Sequence, residues 1–110
     1  MSIDFVGRNV VVTGATGELG EAVARLLLRA GATVHVPVRA PEKARALYAG
    51  AEDRIRVATV ADLGDESDVC AFYAGLPPLW ASIHCAGGFA MSRIDETTLA
   101  DLRRMLDLNA

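Results

Sequence analysis

Residues 9–20 read NVVVTGATGELG, an apolar run followed by a turn that contains three glycines. The run Asn9–Thr13 is rich in β-branched residues, which predicts a buried strand. The glycines stand at positions 14, 17 and 20, and helical periodicity begins at Glu18. A strand, a glycine turn and a helix in this order are the context in which a glycine-rich turn can bind phosphate.

The three glycines of this turn have separate physical roles. Gly14 can adopt the tight turn, Gly17 lets a diphosphate approach the backbone, and Gly20 lets the helix pack closely on the strand. The helix N-terminus adds free N–H groups and a partial positive charge. A strand-to-helix turn that merely requires glycine is the alternative, and three glycines in register after a β-branched run make it the weaker one.

Apolar periodicity and turn residues divide the rest of the chain into alternating strands and helices. The predicted elements after the first strand are a helix over 18–30, a strand over 33–38, a helix over 41–50, a strand over 54–60, a helix over 65–76, a strand over 82–85 and a last helix that begins near 98. This order predicts an α/β fold, a Rossmann-like doubly wound parallel sheet, truncated after about four strands. Residues 1–110 are expected to form one dinucleotide-binding unit.

Three helices are expected to turn an apolar stripe toward the sheet. In the first helix the stripe comprises Leu19, Val23, Leu26, Leu27 and Ala30. In the third it comprises Val69, Phe72, Tyr73 and Leu76. In the last it comprises Leu99, Leu102 and Leu106, and Asn109 extends it at the same spacing.

Composition excludes several classes of protein. The chain has 110 residues, 52% of them hydrophobic, which suits one folded domain. The net charge is -3 and Lys and Arg are not clustered, so no nucleic-acid partner is expected. No apolar run approaches the roughly 18 residues of a membrane span, and the N-terminus lacks the core of a secretion signal. Two cysteines are too few for a metal site. Since neither a secretion signal nor a membrane span is predicted, a cytoplasmic protein is expected.

The glycine turn resembles the opening motif of short-chain dehydrogenases/reductases. That motif is Thr-Gly followed by two further glycines, and its main branch has the spacing Thr-Gly-x-x-x-Gly-x-Gly. The spacing here is similar to that of the extended branch, with Glu18 where the main branch has glycine. The resemblance implies oxidoreductase activity by hydride transfer and a nicotinamide dinucleotide cofactor. It assigns cofactor contacts to Thr13, Gly14, Thr16, Gly17, Glu18, Leu19 and Gly20.

Two later segments also resemble the family. Asp62-Leu63, after the third predicted strand, is similar to the pair whose Asp contacts the adenine amino group, although an Asp is common in such loops. The tetrapeptide at 84–87 resembles the family's Asn-Asn-Ala-Gly. Ala86 and Gly87 match and are expected near the adjoining ribose. His84 and Cys85 depart from the pattern, and His84 is interpreted as a polar residue at a strand end rather than a catalyst.

The end of the chain resembles the segment that carries the family's active-site Asn, the first member of an Asn-Ser-Tyr-Lys tetrad. Asn109 is therefore the candidate catalytic residue, and a helix-ending Asn is the alternative. The family's proton donor lies in Tyr-x-x-x-Lys, which this sequence lacks. Four residues beyond Tyr48 and Tyr73 stand Glu52 and Pro77. The 110-residue chain alone is therefore expected to be inactive.

The end of the second predicted strand indicates which nicotinamide cofactor is bound. An acidic residue there would hydrogen-bond the adenosine ribose and favour NAD. The sequence instead has Val38-Arg39, and no carboxylate occurs before Glu42. The planar guanidinium of Arg39 can pair with a 2′-phosphate, which favours NADP over NAD. A solvated surface arginine is the alternative.

Three functions are compatible with these observations. The chain is expected to be the NADP(H)-binding portion of a reductase or dehydrogenase that acts, when intact, on a small carbonyl or alcohol. A non-catalytic module that binds or senses NADP(H), and a fold relative without nucleotide, are the alternatives. The family's strand order, 3-2-1-4, would leave the fourth strand at an edge, so the isolated chain is expected to self-associate as a homo-oligomer or to be marginally stable.

Overall fold

The computed structural model describes residues 4–87 and 95–109, in which strands and helices alternate. The strands are β1 (Asn9–Thr13), β2 (Thr33–Val38), β3 (Ile55–Thr59) and β4 (Ala81–His84). The helices are α1 (Glu18–Arg29), α2 (Pro41–Leu47), α3 (Glu66–Ala74) and α4 (Leu99–Asn109). All eight elements lie where the sequence predicts them. The largest difference is at α2, which ends at Leu47 rather than continuing toward Gly50.

The four strands form one parallel sheet in the order β3-β2-β1-β4. In the register, Val11 stands opposite His35 of β2 and Ser82 of β4. Helical crossovers between parallel neighbours define a doubly wound α/β fold. The predicted fold class is therefore confirmed, and β4 lies at an edge of the sheet, as the predicted order requires.

The core lies on both faces of the sheet. On one face, Val10 and Val12 of β1 pack with Ala24, Leu27 and Leu28 of α1. On the other face, a smaller cluster comprises Val11, Val60 and Phe72, with Tyr73 and Leu76 packed against it. Alternate residues of β1 thus serve opposite faces, as expected of a strand buried on both sides. Phe72, Tyr73 and Leu76 of the predicted α3 stripe face this smaller cluster, and Val69 is not part of it.

The buried stripe of α1 differs from the predicted one. Leu19 and Leu26 are 67% and 62% exposed. The buried positions are Gly20, Ala24, Leu27 and Leu28. The reason is Gly20: a Cβ there would lie 1.9 Å from the carbonyl oxygen of Gly14. This close approach of helix to turn sets the rotation of α1, and it moves Leu19 and Leu26 off the sheet.

The predicted apolar stripe of α4 is also wrong. Leu99, Leu102 and Leu106 are 62%, 53% and 54% exposed. Periodicity shows which residues share a helix face, but it does not show whether a partner surface covers that face. A reciprocal pair of hydrogen bonds caps the start of α4: the Thr98 N–H donates to Asp101 Oδ2 at 3.0 Å, and the Asp101 N–H donates to Thr98 Oγ1 at 3.2 Å.

The amino-terminal segment packs against the end of the sheet that is formed by the amino ends of the strands. The Phe5 N–H donates to the carbonyl of Ala30 at 2.7 Å. The ring of Phe5 lies 4.9 Å from that of Trp80, centroid to centroid, and the Arg8 guanidinium lies 4.6 Å from the Trp80 ring. This aromatic group therefore joins the first described residues to the start of β4.

Candidate cofactor-binding site

The carboxyl ends of the four strands meet at one edge of the sheet, because all the strands are parallel. The glycine turn follows β1 there, and Arg39 follows β2. Asp62 lies in the loop after β3, and Ala86 lies just beyond β4. In open α/β sheets, this edge is where ligands bind. The fold therefore brings the sequence-predicted cofactor residues to a common edge.

Two glycines of the turn are required by its geometry. Gly14 has a φ of 72°, and a Cβ there would lie 2.6 Å from the backbone N of Ala86. At Gly20, a Cβ would collide with the Gly14 carbonyl oxygen and would lie 2.9 Å from the Ala15 Cα. Backbone atoms cannot yield as a flexible side chain can. Any side chain at either position would therefore displace the turn.

Packing does not explain the glycine at position 17. A Cβ there would meet only the Gly14 carbonyl oxygen, at 3.4 Å, which is ordinary contact. Gly17 is exposed and is the N-cap of α1, with no side-chain hydrogen bond capping the helix. The first N–H groups of a helix lack partners within the helix and favour anions. An open backbone beside uncapped amides fits a phosphate group.

Thr13 joins the glycine turn to the segment after β4. Its carbonyl accepts the Cys85 N–H at 3.0 Å, and its buried hydroxyl oxygen accepts the Ala86 N–H at 3.3 Å. These two bonds hold Ala86 beside the turn, with Gly87 exposed next to it. The role of Thr13 in this structure is thus to fix the relative position of two predicted cofactor segments.

Hydrogen bonds order the loop that contains Asp62. Its Oδ1 accepts the Gly64 N–H at 2.7 Å, and its own N–H donates to Asp68 Oδ2 at 3.2 Å. Asp65 caps α3 by accepting the Asp68 N–H at 3.1 Å. The Asp62 carboxylate is exposed, and Leu63 is 39% exposed. Both predicted adenine-contact residues are therefore accessible.

Arg39 is exposed directly after the last residue of β2. The carbonyl of that residue, Val38, accepts the Val60 N–H at 2.8 Å. This bond ties the ends of β2 and β3 together. Arg39 and the Asp62 loop consequently leave the sheet from neighbouring strands.

Asn109 and His84 are the two residues that the sequence analysis considered for a catalytic role. Asn109 is the last residue of α4, and its side chain lies outside the described residues. His84 is exposed, and its Nε2 lies 3.2 Å from Ser82 Oγ. The Tyr73 hydroxyl lies 2.8 Å from the same Ser82 Oγ. His84 thus ends a chain of polar side chains beside α3.

Tyr48 is a residue of the site that the sequence analysis missed. It is 1% exposed, and its hydroxyl donates to the carbonyl of Ala15 inside the glycine turn. Burial raises the pKa of Tyr48 to about 12, so the hydroxyl stays protonated. The Arg25 guanidinium lies 5.3 Å from the Tyr48 ring and also bonds Glu21 at 2.7 Å. No local sequence pattern predicts a contact between residues that are 33 positions apart.

A glycine turn that joins a strand to a helix, at the carboxyl edge of a parallel sheet, defines a Rossmann-like α/β protein. The family model described as short chain dehydrogenase matches residues 8–110. The chain belongs to the short-chain dehydrogenase family, whose members bind nicotinamide dinucleotides. A search of the curated proteins found no match.

Solved structures agree with this membership. The chain is similar to a short-chain dehydrogenase/reductase of Brucella melitensis described as a glucose/ribitol dehydrogenase (26% identity, TM-score 0.86, 99% of this chain and 48% of that one). It is also similar to a short-chain type dehydrogenase/reductase of Mycobacterium ulcerans (30%, 0.81, 97% and 42%). A third is the closed form of a serine dehydrogenase complexed with NADP+ (27%, 0.76, 92% and 42%). The chain spans less than half the length of these proteins.

No helix within residues 4–87 and 95–109 is long and apolar enough to cross a membrane.

Proposed function

We propose that residues 1–110 are the NADP(H)-binding portion of an oxidoreductase that transfers a hydride between NADP(H) and a small carbonyl or alcohol. The observation that carries this proposal is the exposed Gly17 at the uncapped start of α1. Packing leaves that position open, and an approaching diphosphate requires it to be open. Family membership supplies the class of cofactor.

Each part of the cofactor has a proposed set of contacts. The diphosphate lies against the turn over 14–20, with the backbone of Thr16, Glu18 and Leu19 closest to it. The Asp62 carboxylate accepts a hydrogen bond from the adenine amino group, beside Leu63. The segment 86–87 lies near the adjoining ribose, where Thr13 holds it.

Arg39 supports NADP rather than NAD. Its guanidinium is exposed at the end of β2, where an acidic side chain would be needed to favour NAD. A planar guanidinium can bind a phosphate through two parallel hydrogen bonds. The 2′-phosphate, which distinguishes NADP from NAD, is the proposed partner of Arg39.

Hydride transfer to a carbonyl also needs a proton for the oxygen. The resemblance assigns a part in this to Asn109, but an Asn amide is not a proton donor at neutral pH. The 110 residues contain no Tyr-x-x-x-Lys. We therefore propose that this chain alone binds cofactor without turnover, and that reduction or oxidation belongs to a longer protein. The oligomeric state and a cytoplasmic location stay predictions.

A second candidate is a module that binds or senses NADP(H) and performs no chemistry. Carbonyl-dependent oxidation of NADPH by the protein in its full natural length separates the two candidates. Turnover supports the oxidoreductase. Tight binding with no turnover on any carbonyl or alcohol supports the sensing module.

Titration with NADPH tests the cofactor site itself. Amide resonances of residues 14–20 and 86–87 are expected to shift, while those of α2 stay in place. Gly17→Val should abolish the shifts because its side chain occupies the diphosphate position. Gly75→Val is the matched control, since a Cβ there meets nothing closer than 3.7 Å and lies outside the site. Unchanged spectra of the wild-type turn at saturating NADPH would refute the proposal.

A further inference from the structure

We infer that the Tyr48 hydroxyl is a positioning group for the cofactor diphosphate, because it fixes the orientation of the peptide between Ala15 and Thr16 in the glycine turn. The inference rests on the proposed function, since it assigns a role within the NADP(H) site. Tyr48 itself would touch no part of the cofactor.

The planarity of the peptide bond carries the effect from the core to the turn. Tyr48 donates to the carbonyl oxygen of Ala15, on the buried side of the turn. In a trans peptide, the N–H of the next residue points opposite to that carbonyl. Holding the Ala15 carbonyl inward therefore holds the Thr16 N–H outward, toward the side from which a diphosphate would approach.

The hydroxyl matters because this contact is buried. Ala15 and Tyr48 are each 1% exposed, so water cannot readily replace the phenol as the donor. A buried carbonyl without a donor is costly and tends to rotate toward solvent. Without the hydroxyl, the Ala15–Thr16 peptide is expected to rotate, and the Thr16 N–H would then leave its outward orientation.

Tyr48 is itself held in place by neighbouring groups. Arg25 of α1 lies over its ring and donates to the carbonyl of Leu47 at 2.9 Å, while Glu21 accepts from Arg25. The phenol stays protonated across the ordinary pH range, so it remains a donor. The end of α2, the middle of α1 and the glycine turn are therefore joined through Tyr48.

A positioning role and a packing role of Tyr48 predict different results. Tyr48→Phe keeps the buried ring and removes only the hydroxyl. If Tyr48 only packs, this variant changes stability and affects all ligands alike. If Tyr48 positions the turn, the variant weakens ligands that carry the diphosphate and spares adenosine 2′-monophosphate, which has no group for the turn to bind.

The test compares Tyr48→Phe with Tyr73→Phe, which deletes a phenol that bonds Ser82 away from the turn. For NADP+, we expect Tyr48→Phe to raise the Kd about threefold to tenfold, the range of one net hydrogen bond. The Kd of adenosine 2′-monophosphate should stay within about twofold. Amide hydrogen exchange of Gly17, whose N–H donates to the Gly14 carbonyl at 3.0 Å across the turn, should become faster in the free protein. Tyr73→Phe should leave all three measurements unchanged.

Two results would overturn the inference: an unchanged Kd for NADP+, or an equal loss for NADP+ and adenosine 2′-monophosphate. Ile55→Val, a mild core substitution remote from the turn, supplies the size of a purely global effect. If the wild-type protein binds no NADP+, the proposed function fails by itself. Amide exchange in the free protein then decides the structural part, and unchanged exchange in Tyr48→Phe would refute it.

Discussion

The glycines of the turn are required for different structural reasons, and Gly20 is required for the close packing of α1 on the turn. Gly20→Ala would place a methyl group inside the contact distance of the Gly14 carbonyl, where only backbone could move. We expect a loss of about 1–3 kcal/mol or more in the free energy of unfolding, measured with urea. Gly75→Ala is the control, because its methyl group would meet only ordinary contacts. Equal midpoints for the two variants would contradict this account.

Arg39 is expected to set the choice of cofactor. Charge-assisted hydrogen bonds contribute about 1.5–3 kcal/mol, so the protein should prefer NADP over NAD by about tenfold or more. Arg39→Ala should remove most of that preference by weakening NADP alone. Arg29→Ala is the control, because it removes the same charge from the far end of α1. Calorimetric Kd values that are equal for the two cofactors in the wild-type protein would rule out the assignment.

His35 is expected to make the fold sensitive to acid. It is buried in β2, with Nε2 3.0 Å from Asn9 Oδ1, and burial together with Arg56 lowers its pKa below 6.5. The folded state therefore favours the neutral ring. The unfolded chain takes up a proton as the pH falls below 6.5, so stability present above that pH is lost below it.

The measurement for His35 is the free energy of unfolding between neutral pH and about pH 5, below the ordinary histidine range. His35→Gln should flatten the loss over that range, whatever its effect at neutral pH. His84→Gln removes the exposed histidine and should leave the slope as it is. A slope that is the same in all three proteins would show that His35 is not the responsible group.

At the scale of elements, two adjacent leucines of α1 report its rotation. Leu27 is 7% exposed and Leu26 is 62% exposed. Leu27→Ala should cost about 2–5 kcal/mol, because it leaves a cavity against the sheet. Leu26→Ala should stay within about 0.5 kcal/mol, as surface substitutions do. Urea unfolding of the two variants compares them directly, and a larger loss at Leu26 would mean that the helix is rotated otherwise.

The order of the elements and of the strands was predictable because few topologies satisfy alternating strands and helices. The rotation of α1 about its own axis was not predictable, since it depends on the contact between Gly20 and Gly14 rather than on the apolar pattern. The exposure of α4 was also hidden, because its leucines repeat at helical spacing whether or not a surface covers them.

The residues of the candidate site also divide into those that could be predicted from the sequence and those that could not. The glycine turn could be located because it stands between a predicted strand and a predicted helix. Asp62 and the segment 86–87 were assigned by resemblance to the family, at positions that follow predicted strands. The bond between Tyr48 and Ala15 could not, because it joins residues from different elements through a side chain whose neighbours in the sequence give no polar pattern. The bond of Thr13 to Ala86 is hidden for the same reason.

At the scale of the whole molecule, residues 1–110 are expected to self-associate. Strand β4 lies at an edge, and three leucines of α4 are more than half exposed. Unpaired edges and apolar surface favour association. Sedimentation of this stretch should show mass that rises with concentration, and Leu102→Lys should reduce it. Ala100→Lys adds the same charge off the leucine stripe and should not. A monomer at every concentration would contradict the prediction.

The contact between Phe5 and Trp80 bears on the time course of folding. It requires β4 to lie beside β1, and the chain between these strands makes three crossovers, so the contact closes a loop over most of the described chain. Contacts between distant residues form late and slow the folding of parallel sheets. Since Trp80 is the only tryptophan, we expect its emission in a stopped-flow experiment to follow this closure rather than the pairing of β1 with β2.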